Sequence, residues 1–168
     1  PAMARSSRRH TGGVLAALAV LAVVAAIDAA HFWRQERWNE LIVSGPLPAV
    51  GQDVPPQVKF AQAHALVQGD ANGAAGSSDQ ESALRLYRSL EDDSSLGQAA
   101  RYNSANALMR QAAIVQAGTE PGKAIALIEL AKEGYRNVLR NDPQHWDARY
   151  NLERAQRLLP DPEEMDAE

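Results

Sequence analysis

The sequence predicts an all-α protein: one long apolar helix at the N-terminus, followed by a stack of helical hairpins. Three observations predict it. Gly13 to Ile27 is an apolar run without a polar side chain. Downstream, apolar residues recur at intervals of three and four, the spacing of a single helical face. Finally, Tyr87 and Tyr135 stand at an offset of 48, as do Tyr102 and Tyr150, and Ala100-Arg101-Tyr102-Asn103 returns as Ala148-Arg149-Tyr150-Asn151. An offset held across two helices and the turn between them is an internal repeat. With aromatics at 5 % and alanine abundant, the composition suits close-packed helices better than a sheet.

Residues 1–33 read as a basic N-terminus and a membrane anchor. Arg5, Arg8 and Arg9 precede the apolar run. The run alone falls short of the ~20 residues a spanning helix needs, and continuing to Trp33 supplies them. Asp28 and His31 then lie near the far interface, where charge costs less, and Trp33 and Trp38 suit an interfacial aromatic belt. A cleaved signal peptide accounts for the same residues, with Val24-Ala25-Ala26 as its small-residue site. The pattern running unbroken through Ala29 and Ala30 to Trp38 favours the uncleaved anchor. Either reading exports the remainder. Positive residues stay in the cytoplasm, which places residues 34 onward in the periplasm, on a single-pass protein of the inner membrane.

Residues 34–55 form a stalk and linker. Arg34 to Val43 extends the helix with polar residues, and Ser44 to Pro56 holds four prolines and two glycines. The helical domain follows at 56–160, with helices expected at 56–69, 79–91, 96–117, 120–140 and 145–159. The first carries Phe60, Ala63, Leu66 and Val67 on one side. Asp70 to Ser78 is a loop, and Ser78 or Asp79 caps the next helix. That helix carries Ala83, Tyr87 and Leu90 and breaks at Asp92-Asp93-Ser94-Ser95. The third runs through Ala107 to a tip at Gly118–Gly122, where Thr119 caps the returning helix and Pro121 is tolerated in its first turn. The fourth places Ala131, Tyr135, Val138 and Leu139 on one face and stops at Asn141-Asp142-Pro143. The last has Trp146, Tyr150, Leu152, Ala155 and Leu158 on its apolar side, with Pro160 and Pro162 ending it. The tail at 161–168 is acidic and reads as a solvated end.

The placement of small residues, aromatics and proline resembles the tetratricopeptide repeat, whose period is about 34 residues. Ala131, Tyr135 and Pro143 match its second helix and exit turn; Ala83 and Tyr87 match the first two positions, and Ser95 stands at the third. The surplus of about 14 residues reads as one hairpin lengthened by about two turns on each arm. The resemblance implies an array of about two and a half repeats sharing one core. In such arrays the first helix of each pair lines a concave groove. The candidate partner-binding residues are therefore Tyr102, Asn103, Asn106, Met109 and Arg110, then Tyr150, Asn151, Arg154 and Arg157. The alternative has Tyr102 and Tyr150 packed between helices and the arginines in solvent.

Charge and residue chemistry exclude other classes. The chain carries −4, with +2 on residues 1–33 and therefore −6 on the remainder. No basic stripe with interleaved aromatics is present, so nucleic acid is not an expected partner. Cysteine is absent, and His10, His31, His64 and His145 are scattered without zinc-site spacing. There is no nucleophile elbow and no phosphate-cradling glycine loop. The expectation is a non-enzyme without a cofactor. Asp70, Asn72, Ser78 and Glu81 match positions 1, 3, 9 and 12 of a calcium loop, but Ala74 and Ala75 stand where a ligand and the turn glycine belong. These four are weak metal candidates, and no bound metal is expected.

The whole plan, with ALRLYRSL, ARYNSANALMRQA, ELAKEGYRNVLR and DPQHWDARYNLERAQRLLP in order, resembles the MxaK-like accessory proteins of methanol dehydrogenase, over most of the chain from Pro55 onward. The resemblance implies assistance in maturation of a periplasmic methanol dehydrogenase, including calcium insertion. The partners it implies are that enzyme, membrane proteins of the von Willebrand A type and a MoxR-type ATPase. Two alternatives stay open: a calcium carrier using the four loop residues, and a general cell-envelope scaffold working with the same A-type proteins and ATPase.

Overall fold

The structure, a computed structural model, describes residues 2–45, 47–49, 53–71, 77–117 and 121–161. Among these residues every regular element is an α-helix: α1 (Ala2–Ser44), α2 (Pro56–Ala71), α3 (Ser77–Arg88), α4 (Ser95–Gln116), α5 (Pro121–Asn141) and α6 (Trp146–Leu158). The chain divides into two compact units, Pro1–Pro46 and Leu47–Glu168.

The first unit is α1. Its 43 residues make a rod of about 65 Å, and Leu15–Ser44 is long and apolar enough to cross a membrane. Leu18, Val20, Phe32 and Trp33 are each more than half exposed. A core helix would bury them, whereas a helix apolar on all sides suits a hydrocarbon surround. Gly45 ends the helix. Its φ of +93° is a left-handed conformation open to glycine, and its N–H bonds the Leu41 carbonyl.

The second unit is built by alanines that let helices approach and tyrosines that fill the space between them. Ala63, Tyr87 and Ala100 form one buried cluster, with Phe60 edge-on to Tyr87 at 5.5 Å. Ala105, Leu108, Ala131, Tyr135, Val138 and Ala148 form the next, and Ala112, Ile128 and Ala155 a third. Burial follows the offset of 48: Ala83 and Ala131, Tyr87 and Tyr135, and Ala100 and Ala148 are all at most 1 % exposed. The offset is looser elsewhere, since Ala155 is buried where Ala107 is half-buried. At 22 and 21 residues, α4 and α5 are far longer than α3 and α6, with 12 and 13. Gly118, Thr119 and Glu120, where the tip and its cap are expected, lie outside the described residues, while Pro121 opens α5.

Four expectations need correction. The linker is not free of the helical unit: Gln62 donates to the Pro48 carbonyl at 2.8 Å and Val54 is buried. The compact unit accordingly starts at Leu47 rather than at residue 56. Around the expected loop, α2 continues through Asp70 and Ala71 and α3 already includes Ser77 and Ser78; at its other end α3 stops at Arg88, short of residue 91. On α6 the apolar side is shifted: Leu152 and Ala155 face inward as expected, but three of the five expected residues do not. Trp146, Tyr150 and Leu158 are 71 %, 54 % and 59 % exposed, while Ala148 and Ala155 are buried and Leu152 and Leu159 half-buried. Among the described residues α6 packs inward through Ala148 and Ala155, with Leu152 and Leu159 beside them.

The fourth is Asp161, the first residue of the expected tail, whose residues 162–168 lie outside the described residues. Asp161 is not a solvated end but a clasp. Its carboxylate accepts from Lys132 at 2.6 Å, from Arg136 and from Gln156. Lys132, whose side chain is fully buried, also donates to the Leu159 carbonyl and to Glu129. Burial works against the ammonium, but the bonds to Asp161 and Glu129 outweigh it and hold the Lys132 pKa above its ordinary value. Bonds from Lys132, Gln156 and Arg136 in turn hold the Asp161 carboxyl far below the usual carboxylate range. A depressed carboxyl contributes stability that is present above its unfolded pKa, about 4, and is lost as pH falls through the folded value. Since the Asp161 side chain is 25 % exposed, solvent screens the pair. Asp161→Asn should therefore lower stability at neutral pH by about 1 kcal/mol. In urea denaturation, its deficit against the parent should shrink as pH is lowered below about 4. A deficit constant down to strong acid would show that the carboxylate charge is not what the contacts of Asp161 contribute.

Candidate functional site

The site lies on the side of the second unit where α2, α4 and α6 run beside one another, with tyrosines from α3 and α5 beneath. Each of the last two is fixed at its start. Ser94 caps α4, its hydroxyl accepting from the Gly97 N–H at 3.1 Å. His145 caps α6, its Nδ1 accepting from the Ala148 N–H at 3.2 Å. The His145 ring also packs on Tyr102, with centroids 5.0 Å apart, and Tyr102 lies 6.1 Å from Tyr135.

A short polar network joins α4, α5 and α6. The Tyr135 hydroxyl donates to Asn106 Oδ1 at 2.7 Å, and Asn151 Nδ2 donates to the same oxygen at 3.0 Å and to the Tyr102 hydroxyl at 3.0 Å. Beside it opens a cleft of about 450 Å³, walled by Met109, Arg110 and Ala113 of α4 and by Asn151, Arg154 and Leu158 of α6, with Ile128 and Tyr135 of α5 as floor. A smaller cleft of about 120 Å³ lies on the other side of α4, bounded by His64, Val67 and Gln68 of α2, with Tyr87 and Asn103. Asn106 and Arg110 border both. The offset of 48 thus reappears at the site: Tyr87 and Asn103 in one cleft correspond to Tyr135 and Asn151 in the other.

Both floor phenols are neutral across the physiological range. Burial pushes the Tyr87 hydroxyl up to about 12 against a lowering influence from Arg110. Burial, with Tyr102 adding to it and Arg154 opposing, raises Tyr135 further still. They act as hydrogen-bonding groups rather than as bases. The walls supply amides, guanidinium groups and aliphatic side chains, a set that binds and orients a ligand.

The expected groove residues divide. Asn103, Asn106, Met109, Arg110, Asn151 and Arg154 line the clefts. Tyr102 does not; its ring packs against Tyr135 and His145, and its hydroxyl holds Asn151. Tyr150 and Arg157 stand on the outer face of α6, where Arg154 lies 5.9 Å over the Tyr150 ring and Arg157 pairs with Glu153. Periodicity places all nine on two helices but does not say which side of each faces the neighbouring helix. The floor residues Tyr87, Tyr135 and Ile128 and the α2 wall were missed as site residues, although the repeated tyrosines were the signal for them.

The calcium-loop residues fall around a segment that is only partly described. Asn72 lies outside the described residues, Ser78 and Glu81 are exposed on α3, and Asp70 belongs to α2. Among the described residues no group of three or more His, Asp or Glu side chains could hold a metal ion. No protein-family model, curated protein or solved structure matches the chain.

Proposed function

We propose that this chain is a non-catalytic, membrane-tethered adaptor, a tetratricopeptide-like array whose groove holds a partner protein. The observation that carries the reading is the pair of adjoining clefts across α2, α4 and α6, joined at Asn106 and Arg110 and floored by the equivalent tyrosines Tyr87 and Tyr135. α1 is the tether, in the inner membrane, with the second unit in the periplasm. The MxaK-like resemblance supplies the process: maturation of a periplasmic methanol dehydrogenase, including metal insertion, alongside von Willebrand A-type membrane proteins and a MoxR-type ATPase.

Capture experiments with the full chain in detergent test this, using each of those proteins in purified form. At least one should be retained. The combined variant Asn103→Ala, Asn106→Ala and Arg154→Ala should lower its recovery about tenfold or more, since each side chain borders the clefts and each lost contact is worth about 1 kcal/mol. Thermal melts establish that the variant is folded. Unchanged recovery would move the contact off the groove. Deleting the gene and assaying growth on methanol separates this role from that of a general envelope scaffold, for which growth is unaffected. A calcium carrier would bind calcium below millimolar concentration in calorimetry.

A further inference from the structure

We infer that the groove takes an acidic peptide segment of its partner, one in which carboxylates flank aliphatic side chains; this rests on the adaptor reading above. The first observation is charge. Acidic residues outnumber Lys and Arg by 21 to 17 in the chain, yet Arg110 and Arg154 line the clefts with no carboxylate among the lining residues.

The second is that neither of these guanidinium groups is paired with an acid, although Arg154 also lies 5.9 Å over the Tyr150 ring. On α4 to α6, Arg101 pairs with Glu91, Arg136 with Asp161, Arg140 with Glu133 and Arg157 with Glu153, and Arg149 reaches the Pro143 carbonyl. Arg110 and Arg154 have no carboxylate partner among the described residues. A ligand that covers them must replace their water with anions, because a guanidinium desolvated without a partner is strongly unfavourable.

The third is the direction of the amides. Asn106 Oδ1 already accepts from Tyr135 and from Asn151, so its Nδ2 remains as a donor beside Arg110. Both protons of Asn151 Nδ2 are likewise engaged, which leaves its Oδ1 to take a peptide N–H. The wall is therefore rich in donors and calls for acceptors. Met109 of α4, Leu158 of α6 and Ile128 of α5 line the larger cleft with the two arginines and suit apolar side chains on the same ligand. A run of clefts across three helices fits an extended chain better than a compact anion.

Fluorescence anisotropy on the full chain in detergent tests this, with a labelled peptide of alternating glutamate and leucine and its counterpart with glutamine in place of glutamate. The acidic peptide should bind at least tenfold more tightly, with an affinity that falls as salt rises. Arg110→Gln with Arg154→Gln should weaken it by tenfold or more, and Arg110→Lys with Arg154→Lys should restore part of the loss. Equal binding of the two peptides, no binding of the acidic one at millimolar concentration, or full affinity in the double Gln variant would overturn the inference. If that variant still captures a partner that the Asn103, Asn106 and Arg154 combination loses, the adaptor reading stands and only the acidic ligand falls.

Discussion

Tyr135→Ala should lower the stability of the helical unit by about 3–5 kcal/mol, the range for removing a buried aromatic side chain. The ring is 1 % exposed and packs among Ala105, Leu108, Ala131, Val138 and Ala148. The buried alanines and Val138 have no flexible end to swing into the vacated space, whereas Leu108 and the half-buried Met109, Leu127, Leu139 and Leu152 can fill part of it, which sets where in that range the loss falls. The substitution also leaves Asn106 with one of its two donors, which loosens the wall of the larger cleft. Tyr135→Phe separates the two effects. It keeps the ring and removes the hydroxyl, and should cost about 1 kcal/mol. Urea denaturation followed by circular dichroism measures both. Tyr87 supplies the control: it occupies the equivalent place among Ala63, Phe60 and Ala100, and Tyr87→Ala should fall within about 1 kcal/mol of Tyr135→Ala if the two sites are equivalent in energy as well as in spacing. A disparity larger than about 2 kcal/mol would mean that the offset of 48 records spacing alone.

These tyrosines also show what was legible in the sequence and what was not. For three of the pairs at the fixed offset the two copies share burial, since Ala83, Tyr87 and Ala100 and their counterparts all lie in the core, whereas Tyr102 is half-buried and its counterpart Tyr150 exposed. Helix existence followed from the same periodicity, and every expected boundary fell within three residues of the observed one from α2 onward. What periodicity cannot convey is which of two possible faces meets a neighbour. On α6, the large apolar residues Trp146, Tyr150 and Leu158 form one stripe, and Ala148 and Ala155 belong to another. The hydrophobic reading grouped Trp146, Tyr150 and Leu158 with Leu152 and Ala155 and omitted Ala148, whereas the packing keeps Leu152 and Ala155 and adds Ala148, because helices joined through alanine contacts lie too close to accept an indole between them. Asp161 was misread for a related reason. A terminal acidic run is ordinarily solvated, and its partner Lys132 lies far back in the chain on another helix, a pairing no local pattern encodes.

Gly97→Ala should destabilise the protein, although helix propensity alone argues the reverse. Gly97 lies in the first turn of α4, where alanine is favoured over glycine by up to about 1 kcal/mol. A Cβ at that position would lie 2.5 Å from the Asp92 backbone nitrogen and 2.6 Å from its carbonyl oxygen, and closer still to its carboxylate. The carboxylate could swing away; the backbone cannot. Asp92 is held over the helix start by bonds from Ser94 to its side chain and from Gln98 to its carbonyl. Overpacking against a fixed backbone costs about 1–3 kcal/mol or more, so the net loss should be about 2 kcal/mol. The comparison with the later turn explains the choice of residue. There Pro143 sets the chain direction, and His145, the counterpart of Gly97 at the same offset, caps α6 through its own ring. Where the earlier copy has Ser95 in the proline's place, Asp92 and Ser94 take over the turn, and they fit only because residue 97 has no side chain. Asp92→Ala in the Gly97→Ala background should recover little, since it removes the carboxylate and leaves the backbone contact. A Gly97→Ala protein as stable as its parent, or a full rescue by Asp92→Ala, would show that the turn yields and that its close packing is not what sets the start of α4.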